Sequence, residues 1–164
     1  MTNGIIREVV KADSAGIIQI YNYYVENTSI SFEEKPVTEQ EMERRIGAVT
    51  QNYPWLMYEE SGEVLGYAYI NRWKERSAYR FTAETTIYVE KSRAGQGIGS
   101  KLLSVLMDRA RAMGLHALIA VIAQPNEKSV ALHEKFGFKK VAHFAQVGFK
   151  NDRWVDVGYW ELGL

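Results

Sequence analysis

The stretch from residue 81 to residue 123 constrains this chain most, because its periodicity changes twice along the way. Phe81, Ala83, Thr85, Ile87 and Val89 alternate with Thr82, Glu84, Thr86 and Tyr88, the period-2 pattern of a strand from Phe81 to Glu90. The segment from Arg93 to Gly99 is glycine-rich and runs straight into a helix. The apolar stripe of that helix is Ile98, Leu102, Val105, Leu106, Ala110 and Met113, and Gly114 stops it. Leu115–Ala123 is then an almost unbroken apolar run, as expected of a buried central strand. A strand, a glycine loop, an amphipathic helix and a buried strand in that order call for a sheet with helices packed on it.

The flanking sequence extends the pattern. Ile5 to Val10 is a short strand, and Asp13 is placed to cap a helix through about Glu26 with Ile17, Ile20, Tyr21 and Tyr24 on one face. Thr38 and Glu41 have the spacing of a capping box, opening a helix that carries Met42, Ile46 and Val49. Trp55–Glu59 and Val64–Ile70 form a hairpin turning at Ser61-Gly62. A helix begins at Pro125 and ends near Gly137, and strands Ala142–Phe149 and Trp154–Trp160 turn at Asn151-Asp152. No repeat or linker interrupts the chain. The expectation is one domain over residues 1–164, of class α+β, with a mixed and mainly antiparallel central sheet flanked by helices.

Composition removes whole classes of function. Lys+Arg and Asp+Glu are 20 each and cancel, so the chain lacks the electrostatic footprint of a nucleic-acid binder or an anionic membrane surface. There is no cysteine, which excludes disulfides, a thiolate zinc site and a cysteinyl acyl-enzyme. No metal is expected. Met1 to Lys11 lacks the apolar core of a signal peptide, and no run approaches the roughly 20 apolar residues of a spanning helix. The expectation is a cytoplasmic protein whose charge specificity is local.

Gly95-Gln96-Gly97-Ile98-Gly99-Ser100 has two readings. It is a cradle for a pyrophosphate, with backbone N–H groups and a helix N-terminus aimed at the anion, or a tight strand-to-helix turn. Its spacing fits neither G-x-G-x-x-G nor a Walker loop, since Lys101 follows Ser100 rather than preceding it.

In the segment 125–138, about 100° of turn per residue places Glu127, Lys128, Glu134 and Lys135 on a solvated face and Leu132 and Phe136 toward the core. Asn126, Ser129 and His133 form a polar stripe between them, the margin of a lined crevice. Asn126 also suits helix capping, and His133 also suits a half-buried histidine satisfied by a neighbour. Arg72, Lys74, Arg76 and Arg80 are interleaved with Trp73, Tyr79 and Phe81, a local basic cluster suited to a carboxylate or another oxygen-rich group. Glu84 interrupts an otherwise buried strand. A salt bridge to Arg72 or Arg80 is one explanation and a general base the other, and the base is favoured.

The loop resembles the acetyl-CoA motif of the GNAT superfamily of N-acetyltransferases, Arg/Gln-x-x-Gly-x-Gly/Ala. Gly97 and Gly99 match, while Ala94 stands at the first position with Arg93 beside it. The superfamily frame Asn-x-x-Ala-x-x-x-Tyr-x-x-x-Gly-Phe is met by Asn126, Gly137 and Phe138, with His133 where a tyrosine often stands. Nearly the whole chain further resembles the branch that acetylates phosphinothricin, methionine sulfoximine and methionine sulfone. The matching strings include Asn52-Tyr53-Pro54-Trp55-Leu56, Trp73 to Tyr79, Glu84 to Val89, Ser129 to Glu134 and Trp154 to Trp160.

That resemblance implies a GNAT fold, a homodimer, and acetyl-CoA as co-substrate. Ile87, Tyr88 and Val89 would bind the pantetheine arm by their backbone, and Gly95, Gln96, Gly97, Ile98, Gly99 and Ser100 would cradle the pyrophosphate, with Asn126 and Lys135 adding contacts. Lys74, Glu75, Arg76, Glu84, Thr85 and Thr86 would line the acceptor pocket between the aromatic walls Phe32 and Tyr79. Transfer would be direct. Glu84 or His133 would deprotonate the amine, and His133 would otherwise protonate the departing thiolate. Rival acceptors are a polyamine, an aminoglycoside or a protein N-terminus, the first two disfavoured by the basic cluster. A non-catalytic acyl-CoA sensor is the rival from another class, disfavoured by retention of Glu84 and His133.

Overall fold

The computed structural model describes residues 4–164. Across them, strands β1 (Ile5–Glu8), β2 (Trp55–Glu60), β3 (Glu63–Arg72), β4 (Thr82–Val89), β5 (Ala117–Ala123), β6 (Lys139–Lys150) and β7 (Arg153–Gly163) form one sheet in the order β1-β2-β3-β4-β5-β7-β6. All neighbours are antiparallel except β4 and β5, the one parallel pair. The α+β expectation holds in class and in strand content.

The four helices are α1 (Ser14–Asn27), α2 (Glu39–Thr50), α3 (Ile98–Ala112) and α4 (Glu127–Lys135). Strand alternation splits the interior into two cores. Leu56, Tyr58, Ala68 and Ala83 face α3 with Leu102, Leu103 and Leu106, and α4 adds Val130 and Leu132 to that side, with Phe136 just past its end. Trp55, Met57 and Tyr67 face the opposite way, onto Ile17 and Ile20 of α1 and Met42, Ile46 and Val49 of α2. None of the described helices is long and apolar enough to cross a membrane.

The hairpins form where expected. Ser61 and Gly62 both have positive φ, as do Asn151 and Asp152, the backbone that two-residue hairpin turns require. Gly114, at φ 76°, ends α3 in a Schellman motif: its N–H donates to Arg111 O and that of Leu115 to Ala110 O.

Three local expectations are corrected. Asp13 stands at the start of α1 but its carboxylate does not cap that helix; Arg7 grips it at 2.8 and 2.9 Å, and it accepts the Val10 N–H across the short turn before the helix. The Thr38 side chain accepts the Glu41 N–H as half of a capping box, yet the Glu41 carboxylate turns to Arg44 and Arg45. The buried stripe of α3 is wider than expected, taking in Leu103 and Met107, while Met113 is exposed beyond the last turn.

Candidate active site

The sheet is split at its centre. β4 and β5 pair only from Thr82 with Ala117 to Thr85 with Ala120, although β4 runs on to Val89 and β5 to Ala123. A gap therefore opens beyond Thr85. The Glu90 N–H bonds Leu65 O on the β3 side, while Phe81 O accepts from His116 N on the β5 side. Alternation then turns the backbone groups of Ile87 and Val89 toward the gap and commits those of Tyr88 to β3. So the expected Ile87–Val89 strip offers the gap its outer residues, not Tyr88. The Tyr24 hydroxyl donates to Val89 O at 2.5 Å and holds the strand end in place.

The glycine loop follows at the open end of the gap. Gly95 and Gly97 adopt φ of 80° and 82°, and a Cβ on either would meet nothing within 4 Å. Backbone conformation, not packing, demands glycine there. Gly99 differs: a Cβ there would come within 3.1 Å of Leu132, so it allows α3 to sit close against α4. Gly97 is the N-cap of α3 and has no side chain to satisfy the first-turn amides, which leaves a positive helix end beside an open, side-chain-free loop. Gln96 is exposed next to it, and Lys135 reaches across from α4 to within 3.3 Å of the Ser100 hydroxyl. Arg93 is turned to Glu60 at 3.7 Å. Open amides, a helix N-terminus and a lysine converge there, a chemistry that fits an anion such as a nucleotide pyrophosphate.

On α4, Asn126 takes the capping role: its side chain accepts the Ser129 N–H at 3.3 Å. His133 is 4% exposed and enclosed by Phe138, Thr85 and Ser129. Its Nδ1 lies 2.8 Å from Ser129 O, an acceptor only, so Nδ1 carries a proton and donates it. Burial lowers its pKa and keeps the ring neutral, leaving Nε2 as an acceptor 3.4 Å from the Thr85 hydroxyl.

Glu84 is on the other face. Side chains on β4 alternate, so Glu84, Thr86 and Tyr88 look toward α1, while Thr85 looks toward His133. Thr86 is the cross-strand partner of Tyr69 and shares its face. Glu84 is half-buried; burial raises its pKa, and Lys74 partly opposes this. Among the described residues neither Arg72 nor Arg80 pairs with it. Arg80 instead donates to Ser77 O and stacks 4.5 Å over the Phe81 ring.

Lys74, Glu75 and Arg76 are exposed in the loop between β3 and β4, where Tyr79 packs edge-on against Trp73 at 5.3 Å and the Lys74 ammonium lies 5.3 Å from the same ring. A groove beside Trp73, Lys74 and Glu75 extends to Asn52 and Tyr53. Phe32 stands apart from Tyr79, on the α1 side where its neighbour Ser31 meets Tyr21, with its ring edge over Gly148. The structure thus gathers Lys74, Glu84 and Thr86 on one face and sends Thr85 to the other. An aromatic layer under Glu84 and Thr86 escaped sequence reasoning. Tyr69 stacks on Trp55 at 4.0 Å, and Tyr88 meets Tyr21 and Tyr24 at 5.2 Å each. Tyr21 and Tyr24 on one helix face were its visible half.

Comparison with known proteins shows the family and the fold. The family described as acetyltransferase (GNAT) domain matches residues 6–158. A phosphinothricin N-acetyltransferase of Streptomyces viridochromogenes is 38% identical over 156 residues, 95% of this chain and 85% of that protein. An L-methionine sulfoximine/L-methionine sulfone acetyltransferase of Pseudomonas paraeruginosa is 39% identical over 161 residues, 97% and 94% of the two chains. The crystal structure of a phosphinothricin acetyltransferase from Sinorhizobium meliloti in complex with acetyl-CoA superposes with a TM-score of 0.95 at 39% identity, covering 100% of this chain and 89% of that one.

Proposed function

The chain belongs to the GNAT acetyltransferase family, and we propose that it acetylates the α-amine of a small amino-acid analogue: methionine sulfoximine, methionine sulfone or phosphinothricin. One observation carries this reading. β4 presents a half-buried carboxylate with a raised pKa, Glu84, to one side of a gap in the sheet whose open end leads to an anion cradle. The names of the relatives supply the acceptor class.

Acetyl-CoA supplies the acetyl group as a thioester when bound. Gly95 to Ser100 and Lys135 hold its phosphates, and the backbone of Ile87 and Val89 holds its extended arm. Asn126 caps α4 and keeps that helix in register beside the loop. Lys74 and Arg76 hold the acceptor's acidic groups, Tyr79 bounds them on the side of Trp73, and Phe32 is the other aromatic wall. Glu84 takes the ammonium proton onto a carboxylate oxygen, a transfer that its raised pKa favours at neutral pH. His133, with its proton fixed on Nδ1, steadies Thr85 at the last residue pair before the gap.

The protein is read as a cytoplasmic homodimer. Edge strand β6 exposes Val141, Phe144, Val147 and Phe149, and Trp154 lies beside them, apolar surface of the kind subunits bury. Light scattering at micromolar concentration tests the assembly. Thiol release from acetyl-CoA, measured with the three acceptors, spermidine and a peptide N-terminus, tests the activity. Activity confined to the last two would overturn the acceptor reading, and none with any amine would favour a sensor.

A further inference from the structure

Edge strand β6 plays no part in the chemistry above, yet it fixes one wall of the proposed pocket. Lys150, on β6, is 3% exposed and donates to two carbonyls, Val25 O at 2.8 Å and Ser31 O at 2.6 Å. An ammonium bonded only to carbonyl oxygens is costly to bury, and burial lowers its pKa even though Glu33 and Glu34 oppose this, which makes it a poor choice for stability by itself. Its effect is local: it ties the end of α1 and the segment after it to β6.

Ser31 is fastened from the opposite side as well. Its hydroxyl lies 2.9 Å from the Tyr21 hydroxyl and accepts the Glu33 N–H, while Arg45 holds the Glu33 carboxylate at 2.6 and 2.9 Å. Both neighbours of Phe32 are thereby fixed. Phe32 itself points outward, 44% exposed, and its ring edge fills the space a side chain would take at position 148. A Cβ there would come within 2.5 Å of Cε2 and Cζ of Phe32. Gly148 is not among the positive-φ residues, so its backbone would accept alanine. What forbids a side chain is the ring.

We infer that Gly148 and Lys150 are specificity-determining residues that act by setting the position of Phe32 against the acceptor. The inference rests on Phe32 being a wall of the acceptor pocket. Gly148 leaves the ring its seat, and Lys150 sets the height of the backbone that carries it. Neither residue touches the substrate. Both are positioning residues.

A double-mutant cycle tests this on the full-length protein, with steady-state kinetics on methionine sulfone. Gly148→Ala and Lys150→Met should each raise the acceptor KM on the order of tenfold, because a displacement near 1 Å is enough to spoil orientation. The KM for acetyl-CoA should stay as in the parent. In a Phe32→Ala background, Gly148→Ala should add no further loss, since the ring it displaces is gone. Equal losses with and without Phe32, or an unchanged acceptor KM in Gly148→Ala, would overturn the inference. Should Phe32→Ala alone leave the acceptor KM unchanged, the pocket assignment fails and this inference with it. If Lys150→Met does not fold, Gly148→Ala decides alone, because its clash is confined to the far end of one side chain.

Discussion

The Thr85 hydroxyl lies 3.4 Å from Nε2 of His133, on the face of β4 opposite Glu84. One strand therefore separates the two residues that a sequence reading ranks together as proton-transfer groups. Thr85 is also the last residue of β4 to pair with β5, so its contact with His133 braces the point where the gap begins. The strand is locked on one face and carries a half-buried carboxylate on the other.

His133→Phe should therefore act first on stability. It removes the bonds of His133 to Ser129 O and to the Thr85 hydroxyl, which keeps only its 3.4 Å contact with Ile119 O, at a cost of about 0.5–1.5 kcal/mol for each lost hydrogen bond. Burial depresses the folded pKa of His133 below its ordinary 6.5. The stability tied to the neutral ring is thus present above that pH and lost as pH falls below it, when the unfolded chain takes up the proton. Chemical denaturation across pH should show the gap between parent and variant narrowing under acid. Its turnover loss should be smaller than that of Glu84→Gln; the reverse order would make His133 the principal proton-transfer group.

Glu84→Gln should lower kcat on the order of 10²–10⁴-fold while leaving acetyl-CoA affinity intact, as for loss of a general base. It should also stabilise the fold at neutral pH. The folded pKa of Glu84 lies above its ordinary 4.5, so the carboxylate is free of penalty below that value and destabilising once pH rises through the folded value. Glutamine removes the penalty, and the stability gain should vanish in acid. A variant both slow and less stable at pH 7 would point to a structural ion pair with Lys74 instead.

Gly97 separates two explanations of the loop. Its φ of 82° costs a residue with a side chain on the order of 1–3 kcal/mol, and the surroundings of its Cβ are empty. If backbone conformation is what binds the phosphates, acetyl-CoA affinity by calorimetry should fall in the order Gly97, Gly97→Asn, Gly97→Val, because asparagine tolerates that region best. Normal binding by Gly97→Val would remove the cradle from this loop.

Much of this architecture was legible from local pattern. Alternation marked β4, an apolar run marked β5, and turn chemistry marked both hairpins, because each signal lies within a few residues. Alternation even implied that Glu84 and Thr85 part ways, though not that α4 would bring His133 to Thr85. Asp13 and Glu41 escaped for the same reason: arginines offered them better partners, Arg7 on a separate strand and Arg44 and Arg45 within α2. The gap between β4 and β5 left no local signal, since both strands keep their pattern past Thr85 and Ala120. Nor did Lys150, whose burial depends on carbonyls 119 and 125 positions away.

The acceptor is tested at Arg76. The loop carrying Lys74, Arg76 and Arg80 is exposed and cationic, while the described residues near Glu84 offer a mainly aromatic floor in Tyr69 and Tyr88. That combination suits a compact zwitterion with a second oxygen-rich head, bound by its acids at the rim with its amine toward Glu84. Methionine sulfoximine and methionine sulfone carry one net acid in the α-carboxylate, whereas phosphinothricin adds a charged phosphinate and needs more positive compensation. Arg80 is spent on Phe81 and Ser77 O, so the rim has fewer free cations than its composition implies. The sulfur compounds should therefore be the better acceptors. Arg76→Ala should lower kcat/KM for them by about ten- to a hundredfold, the cost of roughly 1.5–3 kcal/mol for one charge-assisted contact, with acetyl-CoA affinity unchanged. The loss should be larger for phosphinothricin, which leans harder on the same cations. Steady-state assays of the three compounds with parent and variant decide the matter: an equal loss for every acceptor, spermidine included, would show that Arg76 supports the loop rather than reading the substrate.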